Sequence, residues 1–120
     1  MKRSIAVLSL VAALAALAAA PAGADRRATA RERKAVAWVM EVPARCVAVR
    51  VSTVASGWAL MYSRGSRSCS RHNANGYVVL RQRFGQWRDV LQNSGTDRSP
   101  CSAVRPVPAR VGRDFGICRG

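Results

Sequence analysis

Acid–base chemistry has one candidate histidine in this chain, His72, in the polar run Arg71-His72-Asn73. A histidine–carboxylate pair of the kind used by small basic ribonucleases would need Glu32 or Glu41 beside it. No spacing supplies that neighbour, and arginines close in sequence are the simpler partners for both glutamates. Serines are plentiful, but there is no Gly-x-Ser-x-Gly elbow and no triad. No glycine-rich phosphate loop is present. The cysteines Cys46, Cys69, Cys101 and Cys118 include no close pair of the sort on which zinc sites are built. The residues therefore assign no catalytic group, metal or cofactor, and the chain reads as a non-enzyme.

Arginine offers the better chemistry. The chain has 20 Lys and Arg against six Asp and Glu, and guanidinium groups bind phosphate and carboxylate in a bidentate fashion. Arg81, Arg83 and Arg88 are expected on one exposed sheet face with Tyr77 alongside, and Arg64, Arg67 and Arg71 crowd the adjoining loop. A field of this sign attracts teichoic or other anionic envelope polymers, anionic lipids, or nucleic acid. Tyr77 could stack on single-stranded nucleic acid, but an exported protein rarely meets it, so nucleic acid is not the expected partner. The cluster Arg26, Arg27, Arg31, Arg33 and Lys34 reads as solvated charge. Heavy use of Ala and Arg suits a GC-rich genome, which accounts for Arg over Lys but not for so few acids.

Export follows from the N-terminus. Lys2 and Arg3 precede an apolar run, Ile5 to Ala20, broken only by Ser9. Ala22-Gly23-Ala24 then places small residues at both cleavage-specificity positions, so residues 1–24 read as a signal peptide cut before Asp25. The run of roughly 16 residues is short for a membrane span, which needs about 20, and no later segment is long enough. No cysteine follows it to carry a lipid anchor. Residues 25–120 then form one small domain. Its 20 basic residues less Lys2 and Arg3, against six acids, leave a formal charge of +12. An even number of cysteines in such a chain reads as two disulfides, with three connectivities open.

The elements that would position these groups are legible in outline. Residues 26–41 carry Ala28, Arg31, Glu32, Ala35, Val36, Val39 and Met40 at helical spacing, with Asp25 as a cap and Pro43 as the stop. Cys46 to Thr53 alternates as a half-buried strand. Trp58 to Ser63, Tyr77 to Phe84 and Trp87 to Gln92 read as three more strands, and Arg64 to Gly76 as a polar loop. Gly85-Gln86 looks like a two-residue hairpin connection. That register sets Arg83 opposite Arg88 and puts Val78, Leu80, Gln82, Phe84, Trp87, Asp89 and Leu91 on the core face. Tyr77, Val79 and Val90 then join the arginines on the open face. Asn93 to Pro100 is a loop, and Pro108 opens a short helix with Val111, Phe115 and Cys118 on one face. Trp38, Trp58 and Trp87 read as core or core-edge residues. The expected class is α+β: an antiparallel sheet of about four strands, an N-terminal and a short C-terminal helix, and two disulfides. A hairpin centred near Ala55 brings Cys46 towards Cys69, leaving Cys101–Cys118 to clip the last helix. Each loop would stabilise by roughly 3 kcal/mol, and the other pairings stay open.

The run C-V-A-V-R-V-S-T-V-A-S-G-W-A (Cys46 to Ala59), Cys69, G-Y-V-V-L (Gly76 to Leu80), W-R-D-V (Trp87 to Val90), Cys101 and V-P-A-R-V-G-R-D-F-G-I-C (Val107 to Cys118) resembles small exported actinobacterial proteins with no assigned activity. The resemblance implies secretion, a disulfide framework and a compact β-rich domain. It brings no catalytic or binding residue, and the positive charge is not part of its pattern.

Three functions fit these residues. The first is a small secreted module that binds an anionic envelope partner. The second is an inhibitor of an extracellular hydrolase, offering Arg64 or Arg67 to an acidic specificity pocket. The third is a small basic hydrolase using His72.

Overall fold

The computed structural model describes residues 25–94 and 99–120. The signal-sequence reading of residues 1–24 lies outside them. Five strands form an antiparallel sheet in the order β1 (Arg26–Arg27), β2 (Val47–Val51), β3 (Trp58–Ser63), β4 (Tyr77–Arg83) and β5 (Gln86–Asn93). This is one strand more than expected. The extra strand comes from residues expected to begin the helix. The helix, α1 (Ala30–Val39), starts later because Thr29 and Glu32 make a capping box: Thr29 Oγ1 accepts from the Glu32 amide at 3.2 Å, and Glu32 Oε1 accepts from the Thr29 amide at 3.0 Å. Asp25 is therefore not the cap. With the helix fixed at Thr29, Arg26 and Arg27 pair instead with Val51 and Arg50 on the open edge of β2.

Alternation along the strands gives the sheet two apolar faces. Val47 and Val49, Ala59 and Met61, Leu80 and Trp87 pack under Val36 and Ala37 of α1. Trp38 is 85% exposed, contrary to the core position expected for it. At 100° per residue it lies about 200° around the helix from Val36, so it cannot share the buried stripe. The opposite face carries Trp58, Leu60 and Val79, and the chain's C-terminal segment covers them with Val104, Val107, Val111, Phe115 and Ile117. That segment comprises a 3-10 turn (Cys101–Val104), helix α2 (Ala109–Asp114), and two short parallel strands, β6 (Ser99–Pro100) and β7 (Cys118–Arg119). The face expected to lie open is thus largely covered: Val79 is fully buried and Tyr77 and Val90 are half-buried. The apolar residues at both ends of the chain each need a surface, and the sheet supplies one to each.

The disulfides are Cys46–Cys69 and Cys101–Cys118, with Cα separations of 5.4 and 4.8 Å. Cys118 belongs to β7, not to the last helix, and it seats against that helix at Gly112, where any Cβ would run into its Sγ. Asp114, 5% exposed, joins α2 to the β2–β3 turn. Its carboxylate accepts from the Ser52 hydroxyl at 2.7 Å and the Thr53 amide at 2.8 Å.

The β4–β5 turn differs from expectation. Its two central residues are Phe84 and Gly85, with φ of +52° and +76°, the backbone of a type I′ turn. Arg83 pairs with Gln86, and Arg81, not Arg83, faces Arg88. Next to the turn Gln82 lies opposite Trp87 and Leu80 opposite Asp89, sharing a face as expected. A register shift between Val79 and Leu80 then moves Leu91 to the other face, opposite Val79. Among the described residues no helix is long and apolar enough to cross a membrane.

Candidate anion-binding site

One concentration of cationic groups in a concave place was not legible in the sequence. Where the chain leaves β1 for α1, at the β2 edge of the sheet, Arg27, Arg33, Arg50 and Arg64 line a cavity of about 410 Å³ with Tyr62 and the backbone-rich surface of Ala28, Ala48 and Val49. Each side chain comes from a different element. Arg27 is fixed by pairing with Arg50 across the β1–β2 ladder, and the Ala28 amide donates to the Val49 carbonyl at 3.0 Å. Arg33 is in the first turns of α1. Arg50 and Tyr62 belong to the β2–β3 pair, in which Ala48 opposes Tyr62. Arg64 follows β3; its amide donates to the Cys46 carbonyl at 3.1 Å, so the Cys46–Cys69 disulfide pins the segment that carries it.

The two nearest acids are engaged elsewhere or by one arginine only. Asp25 Oδ2 lies 2.7 Å from Arg50 Nε, and its carbonyl accepts from the other end of the same guanidinium at 3.0 Å. Asp25 holds the Arg50 guanidinium above its ordinary pKa against the opposing effect of burial, and Tyr62 adds to this. Arg26 grips Glu32 in a bidentate pair at 2.8 and 2.9 Å. That hydrogen bonding outweighs burial and, with help from Thr29, holds the Glu32 carboxyl down to about 2. Among the described residues no carboxylate pairs with Arg27, Arg33 or Arg64. Arg33 Nε is moreover buried with no hydrogen-bond acceptor among those residues. A buried donor left unsatisfied costs about 1–3 kcal/mol.

Arg81, Arg83 and Arg88 stay together at one end of the sheet, while Tyr77 and the loop arginines expected beside them lie elsewhere. Arg64 belongs to the cavity. Arg67 and Arg71 are exposed on a 3-10 segment, Arg67–His72, which the sequence reading had as irregular loop. Arg81 lies over the Trp58 ring at 5.2 Å and across from Arg88, with Arg83 exposed beside the hairpin turn. Tyr77 starts β4, and its hydroxyl accepts from Asn93 Nδ2 at 3.1 Å. At about 3.3 Å per residue it is roughly 13 Å along the strand from Arg81. The loop arginines sit at one end of the sheet and Arg81, Arg83 and Arg88 at the other. His72 lines a separate cavity of about 380 Å³ with Met40, Met61, Tyr77 and Asn93, and no carboxylate is among its lining residues. The Ser63 hydroxyl there donates to the His72 carbonyl at 3.1 Å. Among the described residues no group of His, Cys, Asp and Glu could hold a metal ion.

The sequence hid the cavity because its arginines are 6, 17 and 14 residues apart and sit in elements of three kinds. The outward alternation of Arg50 on β2 and the scarcity of acids were the available signals. Compared with protein-family models, with curated proteins and with solved structures, the chain finds no match.

Proposed function

We propose that this chain is exported, cut after Ala24, and acts as a small basic module that binds a phosphate-bearing polymer of the cell envelope through the cavity of Arg27, Arg33, Arg50 and Arg64. The observation that carries this reading is a cavity lined by four arginines, of which Arg27, Arg33 and Arg64 pair with no carboxylate among the described residues. Guanidinium pairs take phosphate oxygens in bidentate fashion, and a partly enclosed site screens them less than open surface does. The two disulfides support export, as does the resemblance to small exported proteins. Cleavage before Asp25 would also create an α-ammonium group on the residue that already touches Arg50, adding positive charge at the cavity.

The other two readings gain less. Of the two arginines that reading would offer to a protease, Arg67 lies in a 3-10 segment and Arg64 lines the cavity. His72 has no carboxylate in its cavity lining. The test is titration of the disulfide-bonded protein with soluble poly(glycerol phosphate) at several salt concentrations. Affinity should fall steeply with salt, and Arg33→Gln should weaken it about tenfold, or about 1.4 kcal/mol. Equal binding by wild type and Arg33→Gln would remove the cavity as the site.

A further inference from the structure

We infer that the β4–β5 hairpin tip is a membrane-contact element, in which Phe84 enters the interface of an anionic lipid bilayer while Arg81, Arg83 and Arg88 meet the headgroup phosphates. This site is distinct from the arginine cavity and stands on separate observations. Phe84 is fully exposed, the most exposed of the large apolar side chains described. It also occupies a left-handed backbone position, φ +52°, in a turn whose type favours Asn, Asp or Gly there. A bulky aromatic at such a position is strained, and no packing within the molecule compensates it. An outlier of this kind points to a role outside the fold.

The surroundings indicate what the tip meets. Arg81 and Arg88 are cross-strand neighbours, and Arg83 adjoins the turn. Like charges placed in this way repel, and an anionic surface relieves the repulsion. The Trp58 ring under Arg81 holds one of them in place. The β2–β3 turn lies at the same end of the sheet, because Trp58 pairs with Arg81 and the Gln82 amide donates to the Gly57 carbonyl at 2.8 Å. That turn presents Val54, the second exposed apolar side chain at this end. The acids nearby are Asp114, which is buried and hydrogen-bonded to Ser52 and Thr53, and Asp89, which faces Leu80 on the α1 side and accepts from Gln92 Nε2 at 3.3 Å. An exposed aromatic tip flanked by three arginines, with a second apolar side chain at the same end of the sheet, suits a lipid interface, where aromatic rings settle at headgroup depth and each nearby Arg adds attraction. A protein hot spot would need a contiguous apolar pocket or patch.

The test is co-flotation with phosphatidylcholine–phosphatidylglycerol vesicles, comparing wild-type and Phe84→Asn chains of the same processed length. Asparagine suits the turn, so Phe84→Asn should raise the melting midpoint by about 5 °C while lowering vesicle partitioning at least tenfold. Arg83→Gln and Arg88→Gln should each lower it about fivefold, and vesicles of phosphatidylcholine alone should bind about tenfold less than the mixed ones. Arg33→Gln should float as the wild type does, and Phe84→Asn should bind soluble poly(glycerol phosphate) unchanged, which separates this site from the cavity. Wild-type protein that fails to float with the anionic vesicles would overturn the inference. Equal flotation of Phe84→Asn would overturn it too, as would loss of polymer binding in that variant.

Discussion

The arginine cavity at the β2 edge and the arginine-flanked hairpin tip use the same side chain in opposite ways. In the cavity, residues distant in sequence converge from β1, α1, β2 and the segment after β3, and one guanidinium nitrogen is buried without an acceptor. At the tip the charges come from a single hairpin, remain on the surface, and flank an apolar residue that the turn itself disfavours. The cavity depends on tertiary structure to exist at all, whereas the tip draws its charges and its most exposed apolar residue from one hairpin, with Trp58 and Val54 in support from the neighbouring β2–β3 pair. Binding at the cavity should therefore follow the integrity of the fold around it, and binding at the tip should follow the local sequence.

The largest separation between the two should come from the first disulfide. Replacing Cys46 and Cys69 together by serine removes a link spanning 23 residues, worth about 3.5 kcal/mol in the chain-entropy model. It also releases the segment that carries Arg64. Urea denaturation should show that loss of stability, and polymer affinity should fall with it while vesicle partitioning in the folded fraction holds. The reverse comes from Asp114→Ala, which strips the buried acceptor from Ser52 and Thr53 at the tip end of the sheet. Its expected cost is about 2–3 kcal/mol, with Asp114→Asn costing less because one acceptor oxygen stays, again read by urea denaturation. Polymer affinity of the folded Asp114→Ala protein should be unchanged.

The smallest effect belongs to the Arg26–Glu32 pair beside the cavity. The folded-state pKa of Glu32 is depressed to about 2, so its contribution is present above the unfolded carboxyl value near 4.3. It is lost as pH falls from there through about 2. Since Arg26 is half exposed, solvent screening limits the pair to about 1 kcal/mol. Stability curves of wild type and Glu32→Gln should differ by that much at pH 6 and converge below pH 2. A gap that persists undiminished below pH 2 would assign the difference to the capping box instead.

The contrast between cavity and tip also marks how far the sequence could be read. Strand periodicity located Trp58–Ser63 to the residue, and the hairpin argument around Ala55 brought Cys46 to Cys69. Both depend on contacts between sequence neighbours. Most of the failures share one cause, competition settled by distant groups; the hairpin turn is a local exception. Arg26 and Arg27 continue a helical pattern, but a free β2 edge and the Thr29 cap draw them into the sheet. Val79 looked surface-facing because nothing near it in sequence showed that Val104 and Val111 return to cover it. Gly85-Gln86 reads as the turn because a glycine in first place is the type II′ signal; the chain instead places Phe84 and Gly85 at two left-handed positions. Arg33, which reads as one solvated charge among five, lines one cavity with residues as far along the chain as Arg64.

The most direct test of the central claim reads Arg33 itself. In a protein labelled at arginine Nε, titration with soluble poly(glycerol phosphate) should shift the Arg33 Nε–H resonance, because phosphate binds its guanidinium group. The Arg83 and Arg88 resonances should stay in place. Movement confined to Arg83 and Arg88, with Arg33 unchanged at saturation, would contradict the account and leave the cavity arginines as solvated charge.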